Sequence, residues 1–191
     1  MNSQYDPFGL LPSCMADDIC MGGFTSFAVL KFFYHDQTVY FGFDMDNLTK
    51  ERLKLFKTGR TNANDGGIDF VMKPLGRFFQ VTETTDVKKY FLDIDKIERF
   101  PISFVIKSAE PVKVLQQKLK DGAQKQFGIQ KVVESYMACI EEIINIPVLQ
   151  ERFRQAEAQG YLPKILDEIV KQSKVEFNYT EEDEMQDEED D

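Results

Sequence analysis

Two polar side chains interrupt two neighbouring apolar stretches of this chain. The segment Asp65-Gly66-Gly67-Ile68-Asp69-Phe70-Val71-Met72 leads through Lys73-Pro74-Leu75-Gly76 into Phe78-Phe79-Gln80-Val81-Thr82-Glu83. Two glycines ahead of a strand allow a tight backbone approach. By two-residue alternation Asp69 shares a face with Val71, not with Ile68 or Phe70. A polar group inside an apolar strand is costly unless something pairs with it. If the two strands form a hairpin, Asp69 and Gln80 lie close across it. A carboxylate and an amide oxygen, helped by a main-chain carbonyl, make a hard-oxygen site suited to Mg²⁺, with Mn²⁺ as its substitute. A water held there could attack a phosphodiester.

Each residue also has a plainer reading. Asp65-Gly66-Gly67 alone is a loop turn. Asp69 alone could pair with Arg60 or Arg77, and Gln80 alone could satisfy buried backbone. The argument comes from their joint spacing.

The elements that must position this pair follow from local pattern. Residues 24–34 are β-branched, aromatic and apolar, and read as a buried strand. The turn His35-Asp36-Gln37 and a second strand at 38–43 complete a hairpin. Asp46 or Asn47 can cap a helix running to Lys57 with Leu48, Leu53 and Phe56 on its apolar face, ended by Gly59. Residues 68–72 and 77–82 are expected as strands around the Pro-Gly turn. A short helix at 86–94 precedes a strand at 102–106. Helices are expected at 111–124, 129–145, 147–158 and 163–174, three of them with proline in the first turn. The expected fold is therefore α/β of the mixed α+β kind: a central mixed sheet flanked by helices, with a helical C-terminal half. Residues 1–179 read as a single domain, its core at about 46–110 and its helical part at about 111–174.

The arrangement around Asp69 and Gln80 resembles the PD-(D/E)xK nuclease superfamily, in particular type II restriction endonucleases and their Mrr-like relatives. In that family an Asp follows a Gly-rich turn at the start of a strand. The next strand carries Glu, Asp or Gln, then one residue, then Lys. A Glu on the preceding helix often completes the site. The resemblance covers residues 48–108 and implies a restriction-endonuclease-like core. It places Asp69, Gln80 and Glu51 as metal ligands, and Asp69, Gln80, Glu83 and Glu51 as the catalytic set. It also implies Mg²⁺, a double-stranded DNA partner, and a homodimer by analogy. Lys73 and Arg77, near the hairpin tip, are candidates for phosphate contact. The departure is Thr82, which stands where the family has Lys and cannot supply a positive charge. Glu83 could take over, or Lys73 or Lys107 could reach in, or the site could be reduced to binding. The alternatives are a catalytically inactive DNA-binding or regulatory protein on the same scaffold, and a helical interaction module in which Asp69 and Gln80 are structural. Glu51 alone reads as one more charge on a solvated helix face.

Composition bounds the rest. The chain has 191 residues, 42% hydrophobic, with 17 Phe and no Trp, enough for one substantial core. No apolar stretch of about 20 residues exists, so no membrane partner is expected, and the N-terminus lacks a signal-peptide pattern. Cys14, Cys20 and Cys139 have neither zinc nor redox spacing and read as free thiols of a cytoplasmic protein. His35 is the single histidine, which excludes a multi-His metal site. The net charge of −10 is concentrated in residues 181–191, which hold nine acidic residues and no basic one. Without them, 24 acidic residues face 23 basic ones, so the body is nearly neutral. The tail from residue 180 is expected to be disordered, as a solubilising end or as a mobile polyanion competing with DNA. Lys118, Lys120, Lys125 and Lys131 read as an ordinary solvated helix face.

Overall fold

The computed structural model describes residues 23–58, 68–83 and 86–177. The turn at residues 6–9, Cys14, Cys20, the loop at 60–67 and the acidic tail lie outside the described residues.

The chain enters as a helix, α1 (Gly23–Phe33), and not as the expected strand. Thr25 to Leu30 and Phe32 are all buried. A helix that is apolar all round must be enclosed, and this one lies under β3 (Lys54–Lys57) between α5 (Ile146–Ala158) and α6 (Leu162–Phe177). Lys31 Nζ reaches Glu168 of α6 at 2.8 Å.

β1 (Thr38–Gly42) and β2 (Leu48–Arg52) form a separate two-stranded antiparallel ribbon. Its turn is closed by Asp44, whose Oδ1 accepts from the backbone N–H of Asp46 and of Asn47, each at 3.0 Å, and from Asn47 Nδ2 at 2.7 Å. Gly42 is required there, since a Cβ would sit 2.1 Å from the Asn47 carbonyl oxygen. The helix expected over 46–57 is thus replaced by β2 and β3. Buried Leu53 and Leu55 alternate with exposed Arg52, Lys54 and Phe56, a period of two.

The main sheet has the order β3-β4-β5-β6-β7, with β4 Phe70–Lys73, β5 Arg77–Thr82, β6 Ile102–Ile106 and β7 Ile140–Ile144. β3, β4 and β5 are antiparallel neighbours. The expected hairpin at 68–82 is present, and Gly76 at its turn has φ of +65°. A crossover through α2 (Val87–Lys96) returns the chain so that β6 lies parallel to β5. A second crossover, α3 (Val112–Phe127) and α4 (Gln130–Ala138), lays β7 parallel to β6. The single helix expected over 129–145 is therefore α4 followed by β7, where Ile140, Ile143 and Ile144 favour a strand.

The sheet separates two cores. One joins Phe27 and Leu30 to Phe70, Met72, Phe79, Val105 and Ile144. The other joins Tyr90, Phe91 and Ile94 to Ile102, Phe104, Leu115 and Tyr136. β6 is buried on both faces, which is why it reads as an unbroken apolar run apart from Ser103. The fold is mixed α/β, with six helices among the described residues. No described helix is long and apolar enough to cross a membrane. Cys139 is a free, buried thiol donating to the Arg99 and Ser135 carbonyls, each at 3.2 Å.

Candidate functional site

The β4–β5 ladder runs from Met72↔Arg77 to Phe70↔Phe79. The ladder stops there: Asp69, just before β4, donates its N–H to the Phe79 carbonyl at 2.9 Å, a shift of one residue from that register. Beyond it β4 ends, and the main-chain groups of Val81 on that side have no strand partner. Two side chains replace it. Asp69 Oδ2 accepts from the Val81 N–H at 2.6 Å, and Gln80 Nε2 donates to the Val81 carbonyl at 3.2 Å. Asp69 itself is pinned from both sides: its N–H donates to the Phe79 carbonyl at 2.9 Å and its carbonyl accepts from Thr58 N–H at 3.0 Å. The Thr58 hydroxyl donates to the neighbouring Ile68 carbonyl.

This arrangement brings Asp69 and Gln80 together on one residue of backbone and leaves one group over. Gln80 Oε1 is shielded from solvent and has no hydrogen-bond partner among the described residues. An acceptor left in that state costs about 1–3 kcal/mol. No group of three or more His, Cys, Asp and Glu that could hold a metal occurs among the described residues. The donor set is therefore one carboxylate and one amide oxygen. That set suits Mg²⁺, which keeps several waters and takes one or two carboxylates.

Thr82, at the position where a lysine is absent, is only 3% exposed, and its hydroxyl bonds with the Tyr90 phenol of α2. Burial raises the Tyr90 pKa to about 12, against a lowering by the Thr82 bond and with a further rise from the Asp93 charge. Tyr90 also meets the Phe104 ring edge-on, at 4.9 Å between centroids. Thr82 thus anchors the end of β5 into the second core. Glu83, one residue beyond β5, is exposed, with its carboxylate 3.9 Å from Lys107 Nζ. The Lys107 N–H donates to the Thr82 carbonyl at 3.0 Å.

Three expected residues do not join the pair. Glu51 is not on a helix; it is an exposed residue of β2 opposite Val39 in the ribbon. Arg77 is not a free cation at a hairpin tip. Its Nε lies 3.1 Å from Ser103 Oγ and 3.0 Å from Glu141, and its Nη2 lies 2.8 Å from Glu142. Its guanidinium stacks over Phe79 at 5.3 Å, on the face of β5 opposite Gln80. Lys73 is exposed and lies over the Phe56 ring at 5.5 Å, four residues along β4 from Asp69.

Sequence reasoning missed Tyr90, and it missed the network in which Glu142 bonds both Arg77 and Arg152. Arg152 Nη1 continues to Tyr34 Oη at 3.2 Å. Burial, the largest influence, raises the Tyr34 pKa against the opposing Arg152 charge. No local pattern announces either group, because the partners come from elements far apart in the chain. His35 lies 3.0 Å from both Asp36 Oδ1 and the Tyr161 hydroxyl, tying the end of α1 to the start of α6.

Comparison with protein-family models, with curated proteins and with solved structures finds no match.

Proposed function

We propose that this protein is a Mg²⁺-dependent, restriction-type endonuclease that hydrolyses phosphodiester bonds of double-stranded DNA in the cytoplasm. The observation that carries the reading is the buried Gln80 Oε1, without a partner among the described residues, beside the Val81 backbone that the Asp69 carboxylate also holds. Support also comes from the setting. The two motif strands are adjacent and antiparallel, followed by a helix and a parallel strand, as the resemblance implies. Gln80 and Thr82 stand at the C-terminal end of β5, where open α/β sheets place ligands.

Asp69 and Gln80 would hold the ion, which supplies Lewis-acid polarisation of the scissile phosphate. Asp69 would do this while gripping the Val81 N–H at 2.6 Å, a bond that restricts rotation of its carboxylate. The Thr82–Tyr90 bond fixes the strand end that presents Gln80. The position of the missing lysine is closed by Tyr90, so orientation of the attacking water falls to Glu83 and Lys107 at the ends of β5 and β6. Their approach to 3.9 Å holds each in reach of the strand ends. Two chains paired about a two-fold axis would supply one site for each DNA strand.

Plasmid cleavage in Mg²⁺, with wild type beside Asp69→Ala, tests the reading. Cleavage by wild type and its loss in the variant are expected, with products carrying 5′-phosphates. Intact DNA with both proteins across many target sequences would refute catalysis.

One observation favours a second reading, a non-cleaving DNA-binding protein on this scaffold. The lysine position is filled by a threonine locked into the core. Metal and DNA binding by a wild type that leaves plasmid intact would select it.

A further inference from the structure

β2 continues through Leu53 into β3, so one extended segment serves both the ribbon and the main sheet. From Arg52 onward its exposed residues alternate with buried Leu53 and Leu55. Lys50, Arg52, Lys54 and Phe56 therefore share one side, about 6.8 Å apart from one to the next. Cross-strand pairing adds Tyr40 opposite Lys50 and Lys73 opposite Lys54. The Lys73 ammonium over Phe56 places both on that same side. Further along, the Thr58 N–H donates to the Asp69 carbonyl at 3.0 Å, and the Asp69 carboxylate accepts from the Val81 N–H at 2.6 Å.

The outcome is a stripe of four cations interleaved with two aromatic rings. Tyr40 is 71% exposed and Phe56 44%. None of Lys50, Arg52, Lys54 and Lys73 belongs to a salt bridge among the described residues, although Arg52 has a weaker coulombic interaction with Asp36. Glu51 points to the other side of the ribbon by alternation. The ribbon tip carries two exposed carboxylates, Asp44 and Asp46, so the cationic run is confined to the strands behind it. Lys54 and Lys73 stand directly opposite each other, a like-charge pairing that disfavours the folded state unless an anion lies over it. A second copy of the chain would set this stripe against like charge.

We infer that the stripe is the docking surface for duplex DNA, with the β1–β2 ribbon in the major groove and Lys50, Arg52, Lys54 and Lys73 against backbone phosphates. A major groove admits a two-stranded ribbon, and basic side chains on its flanks fix position on the duplex. The inference rests on the endonuclease reading for its destination: the stripe leads a DNA strand along β3 and β4 to Asp69 and Gln80.

The test is fluorescence anisotropy of a labelled duplex with the full chain in EDTA, at salt concentrations of about 50 to 200 mM. The proteins are wild type, the triple variant Lys50→Gln/Arg52→Gln/Lys54→Gln, and the charge-preserving Lys50→Arg/Lys54→Arg. The triple variant is expected to bind at least about tenfold more weakly at the lowest salt. Its slope of log K against log salt should shrink by about 2.7, at about 0.9 for each phosphate that no longer meets a cation. The Lys-to-Arg variant should bind as wild type does. An unchanged affinity and slope in a triple variant with a wild-type melting curve overturns the inference, and plasmid cleavage by wild type would then leave the endonuclease reading standing. Wild type that binds duplex through the stripe without cutting supports the inference and sinks catalysis. Binding to anionic vesicles but not to duplex overturns it in favour of a membrane surface.

Discussion

Replacing Gln80 by leucine separates what the fold needs from what a ligand would need. The substitution removes a buried acceptor without a partner, worth about 1–3 kcal/mol. It also removes the bond from Nε2 to the Val81 carbonyl, worth about 0.5–1.5 kcal/mol. The balance is a stabilisation of about 1 kcal/mol in the absence of metal. For a chain of 191 residues that is an increase in Tm of about 2–4 °C. In Mn²⁺ at about a hundred times its Kd, wild type should gain about 2.7 kcal/mol, and the leucine variant less than half of that. The two melting curves should therefore exchange order between EDTA and Mn²⁺ in differential scanning calorimetry. A leucine variant less stable than wild type in EDTA, with a Mn²⁺ shift equal to that of wild type, would refute both the orphaned acceptor and its use as a ligand.

Gly122→Ala sets a Cβ 2.4 Å from Val87 Cγ1 where α3 crosses α2, and should cost about 1–3 kcal/mol by chemical denaturation, with Val87→Ala restoring only part of it because the Val87 Cβ, at 2.8 Å, remains. Glu142→Leu leaves the Arg77 and Arg152 guanidinium groups, 21% and 11% exposed, without their shared carboxylate. A loss of about 2–3 kcal/mol in urea unfolding is expected, below the ~3–5 kcal/mol of a fully buried pair. Tyr90 has a folded pKa of about 12 against about 10 unfolded, so the stability it contributes is whole below about pH 10 and is lost as pH rises through about 12. Tyr90→Phe should remove that alkaline step, followed by circular dichroism, and the phenolate absorbance that accompanies it.

The hairpin carrying Asp69 and Gln80 is legible in the sequence because its signals are local: alternating apolar residues, a Pro-Gly turn and a short separation. The strand at 102–106 is legible for the same reason. Residues 24–34 read as a strand, and residues 23–33 fold as a helix, because an apolar run has no period when every side is covered; its length of 11 residues is the better guide. The segment 46–57 offers Leu48, Leu53 and Phe56 as a helical face, yet the buried positions are Leu53 and Leu55, and pairing with β1 and β4 decides the outcome. Without that helix, Glu51 stands away from the site. The settings of Thr82 and Arg77 depend on Tyr90, Ser103, Glu141 and Glu142, which only the crossovers bring near.

The unbroken run of backbone from Leu48 to Lys57 has a mechanical consequence. At about 3.3 Å per residue it is a beam of about 33 Å. Its fulcrum is Leu53, buried and held by its N–H to the Gln37 carbonyl at 2.9 Å. The ribbon and β3 are therefore one covalent segment that passes between the two sheets at a buried leucine and ends beside the Asp69 carbonyl, which the Thr58 N–H holds at 3.0 Å.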